Sequence, residues 1–305
     1  MSLDRLIEKI NQTKNPTVAG LDPKLSFIPE YIKKEAFAAF GKNLAGAAAA
    51  LLSFNKGLID ALCDIVPAVK PQAAYYEMYG WQGVRALYDT IRYSRERGMY
   101  VITDGKRNDI GATMEAYAAA HLGLTSVEDE WFPAFGADAL TVNGYLGSDG
   151  IDPLLKVCKE RDTGIFVLVK TSNPSSGELQ DLILSDGRAV YSRMADMCDK
   201  WGESLPGKYG YTGVGAVAGA TYPDQLSEIR AAHPSLFLLV PGYGAQGGGV
   251  KDVAGAFDKN GGGAIVNSSR ALMCAWQKSG GNAGSNFAEQ AREEAVRMRE
   301  ELASY

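Results

Sequence analysis

The feature that most limits the folds open to this chain is a short apolar, β-branched run that recurs eight times, most copies finishing in polar or glycine-rich residues. The runs are Thr17–Leu21, Ile65–Val69, Tyr100–Thr103, Ala139–Val142, Ile165–Val169, Val214–Gly219, Leu236–Val240 and Ala264–Val266. Segments with helical spacing lie between them, among them Trp81–Arg97, Thr113–Leu122, Ala189–Trp201 and Pro223–Ala232. Near-continuous apolar strands alternating with helices describe a parallel sheet covered by helices, because such strands are buried on both faces. Eight units in 305 residues fit a closed (β/α)8 TIM barrel, an α/β fold, as a single domain over residues 1–305. An open doubly wound sheet competes with it, but no G-x-G-x-x-G follows the first run. The long polar-rich interval Ser172–Thr212 opens with Ser-Asn-Pro-Ser-Ser-Gly and reads as a lid or a surface insertion. Within a C-terminal helical extension, residues 280–305, the spacing of Phe287, Ala291, Ala295, Met298 and Leu302 predicts an amphipathic packing helix.

Composition removes several chemistries. The net charge is −5 and no basic block of five or more occurs, so a nucleic-acid partner is not expected. The longest apolar stretch, Ala45 to Phe54, has about half of the roughly 20 residues a bilayer span needs. The charged start Met1–Lys9 lacks a signal peptide's apolar segment, so a soluble cytoplasmic protein without membrane contact is expected. Cys63, Cys158, Cys198 and Cys274 form no C-x-x-C pair, and His121 and His233 stand far apart, so a zinc site is not indicated. Both histidines read as helix-end residues. In an enzyme of this composition, carboxylates and lysines carry the chemistry.

Barrel enzymes place their reactive groups at the C-terminal ends of strands. The first run ends at Asp22, the second at Lys70, and the third at Asp104 and Lys106, with Asp109 just beyond. The fifth ends at Lys170-Thr171-Ser172. Residues two apart on a strand share a side, so Asp104 and Lys106 are expected to project together into the barrel mouth, with Lys70 beside them. A Lys–Asp–Lys–Asp chain gives each charge an opposite neighbour and holds a lysine charged. Its bland reading is a salt-bridge network that only closes the barrel top. The seventh run leads into Pro241-Gly-Tyr-Gly-Ala-Gln246-Gly-Gly and the eighth into Asn267-Ser-Ser-Arg270. Exposed glycine N–H groups with an arginine fork suit a phosphate, and these two loops are the usual phosphate cradle of this fold.

These segments resemble the orotidine 5′-phosphate decarboxylase family, specifically its longer bacterial subgroup. The likeness is carried by Asp104-Gly-Lys106-Arg-Asn-Asp109-Ile110-Gly, Ala19-Gly-Leu-Asp22-Pro, Val69-Lys70-Pro-Gln, Thr141-Val-Asn-Gly-Tyr-Leu-Gly, Gly219-Ala-Thr221-Tyr-Pro and the two phosphate-loop segments. It implies conversion of orotidine 5′-monophosphate to UMP and CO2 in pyrimidine biosynthesis, with no metal and no cofactor. It implies that Lys106 protonates C6, that Asp104 faces the substrate carboxylate, and that Lys70 and Asp22 bind ribose hydroxyls. Asp109, Ile110 and Thr113 would come from the partner of a homodimer with shared active sites. Ser172 would contact the pyrimidine, and Pro241, Gln246 and Arg270 would bind substrate, the last two at its phosphate. Gly144 and Gly105 stand where the family more often has Pro and Ala. A related Mg2+-dependent hexulose-phosphate synthase or keto-gulonate-phosphate decarboxylase is the alternative.

Overall fold

The computed structural model describes residues 2–244, 249–278 and 284–303. Eight parallel strands are present: β1 Thr17–Leu21, β2 Ala68–Pro71, β3 Tyr100–Arg107, β4 Ala139–Val142, β5 Gly164–Lys170, β6 Val214–Ala218, β7 Leu238–Val240 and β8 Ala264–Ser268. Their order, β1-β8-β7-β6-β5-β4-β3-β2, closes on itself and makes the (β/α)8 barrel. Every residue of β1, β2, β4, β6, β7 and β8 is buried, which is why these strands read as unbroken apolar runs. No helix among the described residues is long and apolar enough to cross a membrane.

Contacts divide the chain into two compact units, and β3 passes from one to the other. The first unit holds Lys9–Gly105 and the segment from Ser268 onward. In it β2 pairs with β1 through Val18–Ala68 to Leu21–Pro71, and with β3 at Tyr100 and Val101. The Ala-rich stretch Ala45–Phe54 lies inside helix Leu44–Leu62, which has buried positions around most of its circumference. Asn43 caps that helix: its side-chain oxygen accepts from the N–H groups of Ala45 and Gly46 at 2.9 and 3.1 Å. Helix Phe287–Ala303 buries the five predicted positions. Its Phe287 ring lies 5.0 Å from that of Phe54, and its Arg292 pairs with Asp64.

The second unit holds Lys106–Asn267 with the opening residues of the chain. Strands β4 to β8 pair in sequence, β4 to β5 from Ala139–Gly164 to Val142–Val167. Arg5, near the start of helix Ser2–Thr13, donates to Asp138 and to the Asp162 carbonyl at 2.9 and 2.8 Å, fastening that helix beside the starts of β4 and β5. A small antiparallel hairpin, Thr125–Val127 with Glu130–Phe132, interrupts the strand–helix alternation and exposes Trp131 and Phe132. The sequence reading did not anticipate it.

Two expectations shift. The second strand begins at Ala68 rather than Ile65, because the N–H groups of Ile65 and Val66 donate to the Leu62 carbonyl and end the preceding helix instead. Lys70 therefore sits within β2, opposite Gly20, and not beyond its end. The third strand runs on to Arg107. Within the 172–212 interval the chain forms a short 3-10 turn at Pro174–Glu178 and the helix Val190–Gly202.

Candidate active site

In the first unit, the ends of β1, β2 and β3 gather an acid–base cluster. Lys70 Nζ lies 2.6 Å from Asp104 Oδ2, and both residues are nearly inaccessible, at 4% and 6%. Gln72 Nε2 donates to the same Asp104 oxygen at 2.9 Å. The backbone reinforces the pairing: Ala73 N–H donates to the Asp104 carbonyl and Gln72 N–H to that of Leu21. Burial alone would discharge Lys70, but Asp104 and then Asp22 outweigh it, and the lysine pKa ends above its ordinary value. Lys70 is thus an ammonium fixed by Asp104 and kept charged with the help of Asp22. Asp22 Oδ1 is buried with no hydrogen-bond partner among the described residues, an acceptor suited to a substrate hydroxyl.

A neutral network props this cluster from below. Tyr76 O–H donates to the Leu21 carbonyl at 3.3 Å, and Asn55 Nδ2 donates to the Tyr76 oxygen at 2.8 Å and to Thr90 Oγ1 at 3.1 Å. Burial, with a smaller contribution from Asp22, raises the Tyr76 pKa far above the phenol range, so it stays a neutral donor. Gln72, Tyr76 and Asn55 were not assigned a role from sequence. Gln72 could have been, as the polar residue two beyond Lys70; Asn55 sits in an Ala-rich helix and gives no local signal. Arg270 opens the short helix Arg270–Met273 at the end of β8 and is exposed.

In the second unit, Lys106 continues β3 with a change of backbone. Its φ is 46°, in the left-handed region, so the two-residue alternation that was expected to aim Asp104 and Lys106 alike does not apply there. Asp104 is buried while Lys106 is exposed. Lys106 N–H donates to the buried Thr141 hydroxyl at 3.0 Å, and Asn143 N–H to the Arg107 carbonyl, so β4 holds the turn. Asp109 and Ile110 lead into helix Gly111–His121; Asp109 Oδ1 accepts from the Ile110 N–H at 2.8 Å. Ile110 and Thr113 are both exposed. Ser172 follows the end of β5, and its carbonyl accepts from Thr221 Oγ1 at 3.0 Å. The Pro241 carbonyl accepts from the Ala220 N–H at 2.9 Å, and the chain leaves β7 through Gly242 and Gly244 at φ 103° and 75°. Gln246 lies outside the described residues.

His121 ends its helix as expected, buried and stacked on Phe135 with ring centroids 4.9 Å apart. His233 follows helix Pro223–Ala232 and pairs with Asp199 at 2.5 Å.

A parallel (β/α)8 barrel with a buried lysine–carboxylate pair near its strand ends has the frame of a barrel enzyme working at that face. More specifically, the chain belongs to the orotidine 5′-phosphate decarboxylase / HUMPS family, whose sequence model matches residues 52–278. It is 45% identical over 296 residues to the orotidine 5′-phosphate decarboxylase of Rhodopirellula baltica, covering 96% of each chain. It is 40% identical to that of Clostridium perfringens strain SM101, over 99% of this chain and 98% of the relative. The structure of Leishmania donovani OMP decarboxylase superposes with a TM-score of 0.73 at 30% identity, covering 98% of both chains.

Proposed function

We propose that the chain decarboxylates orotidine 5′-monophosphate to UMP and CO2, with Lys106 as the proton donor and without metal or cofactor. The observation that carries this reading is the buried pair of Lys70 on β2 with Asp104 on β3, with Asp22 acting on Lys70; β3 carries Lys106 two residues after Asp104. The bond from C6 to the carboxyl carbon breaks, its electron pair stays on C6, and CO2 departs. An ammonium proton of Lys106 then moves to C6, leaving a neutral amine. No electron sink accepts the pair, so a preorganised cation must stabilise the developing carbanion.

Asp104 faces the substrate carboxylate. Two carboxylates about 4 Å apart repel by roughly 4 kcal/mol at an effective dielectric near 20. That repulsion acts on bound substrate and vanishes as CO2 leaves, which lowers the barrier. Lys70 and Gln72 both donate to Asp104 and hold it in place, so it cannot swing away from the substrate. Lys70 and Asp22 bind ribose hydroxyls; Ser172 meets the pyrimidine; Pro241 binds substrate, and Gln246 and Arg270 take its phosphate.

The working form is a homodimer in which Asp109, Ile110 and Thr113 complete the partner's site. The exposure of Ile110 and Thr113, together with that of Tyr145 and Leu146, supports this. The chain forms one barrel domain, with 172–212 covering the site and helix Phe287–Ala303 in its C-terminal extension. The cysteines among the described residues are all free thiols, in keeping with a cytoplasmic location.

The test is an assay following loss of orotate absorbance with orotidine 5′-monophosphate, with and without EDTA. Equal turnover in both is expected. Turnover only of a hexulose phosphate or keto-gulonate phosphate, abolished by EDTA, would replace this reading with the Mg2+-dependent alternative.

A further inference from the structure

Lys170, the last residue of β5, is almost fully buried, and the mechanism above leaves it without a role. Its ammonium lies 2.5 Å from Asp181 Oδ1 and 3.3 Å from Ser176 Oγ, and 4.2 Å from the centre of the Tyr222 ring. Lysine is seldom buried this deeply unless it is paired, and here it bonds to two residues of the loop that follows its own strand. The next residue repeats the connection: Gln180 accepts from the Thr171 N–H and donates to the Thr171 hydroxyl, at 2.9 and 2.8 Å. Residues 170 and 171 thus join 181 and 180 and close the neck of a loop.

Ser172 is the first residue beyond that neck. Its backbone passes so close to Gly219 that a Cβ there would lie 2.8 Å from the Ser172 Cα. Thr221 and Tyr222, from the same segment after β6, donate to the carbonyls of Ser172 and Asn173. Tyr222 therefore both stacks on the ammonium and grips the loop.

We propose that Lys170 is a positioning residue for base recognition: by closing the neck of the loop it fixes Ser172 for contact with the pyrimidine. This rests on the decarboxylase reading above. Lys170 does not touch substrate; it acts through Ser172.

Two measurements on Lys170→Met test it. Without substrate, hydrogen exchange should speed up by about tenfold in residues 171–182 and stay unchanged in the other strands. Exchange equal to wild type across 171–182 overturns the clamp. In a double-mutant cycle, Lys170→Met should lower kcat/KM for orotidine 5′-monophosphate about tenfold when Ser172 is present and less than about twofold in a Ser172→Ala background. Equal losses in both backgrounds would reveal a merely structural lysine and overturn the positioning role. If Lys170→Met does not fold, Asp181→Asn, altered at the exposed partner, is judged by the same two outcomes. A wild-type chain that fails to decarboxylate would sink the functional reading, while the exchange experiment would still decide the clamp.

Discussion

At Lys106 a non-glycine residue holds φ at 46°, a conformation that costs an L-residue about 1–2 kcal/mol. Thr141 of β4 and Asn143 just beyond its end hold the turn in place. The charge alternation around this position was legible in the sequence, since Asp104, Lys106 and Lys70 stand at predicted strand ends. The backbone was not: nothing in Asp-Gly-Lys announces that the lysine, and not the glycine before it, turns left-handed. His121 shows the same division. Its place at a helix end was readable, but its environment came only from packing. Burial, aided by repulsion from Arg107, lowers its pKa to about 4, and its buried Nδ1 has no hydrogen-bond partner among the described residues. The unfolded chain takes up this proton near pH 6.5, the folded chain only near 4. Its neutral form therefore supports the fold fully above 6.5, and stability falls as pH drops from 6.5 toward 4. Between pH 7.5 and pH 5 the loss from this one group is about 2 kcal/mol. Urea unfolding of wild type and His121→Gln at both pH values checks it: the wild type should lose about 2 kcal/mol more than the variant, whereas parallel losses would mean that His121 is solvated.

Among the elements, the strands were the most legible because burial on both faces leaves a continuous apolar run. Four of the eight predicted runs start and end within one residue of the observed strand, and β2 slipped because Ile65 and Val66 are apolar yet finish a helix. The hairpin after helix Gly111–His121 escaped notice for the opposite reason. Its strands are three residues each, wholly exposed, and turn through Glu128 at φ 54° where glycine would have signalled the bend. Helix Leu44–Leu62 depends on a visible cap. Asn43 satisfies two orphan N–H groups and donates to the Phe40 carbonyl, so Asn43→Ala should cost about 1–2 kcal/mol in chemical denaturation with kcat unchanged. A loss below about 0.3 kcal/mol would show that the helix is held by its packing alone.

For the whole molecule, the question is whether one chain suffices for a site. Ile110 and Thr113 point to solvent in the single chain although the proposed reaction uses them, and a dimer resolves that mismatch. Mixing inactive Lys106→Ala and Asp109→Ala chains should restore about a quarter of wild-type activity after random subunit exchange, because half the dimers are mixed and each holds one intact site. No recovery after verified exchange would place each complete site within one chain. The central claim is narrower and concerns one ammonium. Lys106→Ala, assayed for loss of orotate absorbance and titrated with UMP by calorimetry, addresses it most directly. The account predicts that turnover falls by at least about four orders of magnitude while UMP still binds within about tenfold of wild type. Turnover within tenfold of wild type would mean that another group delivers the proton to C6.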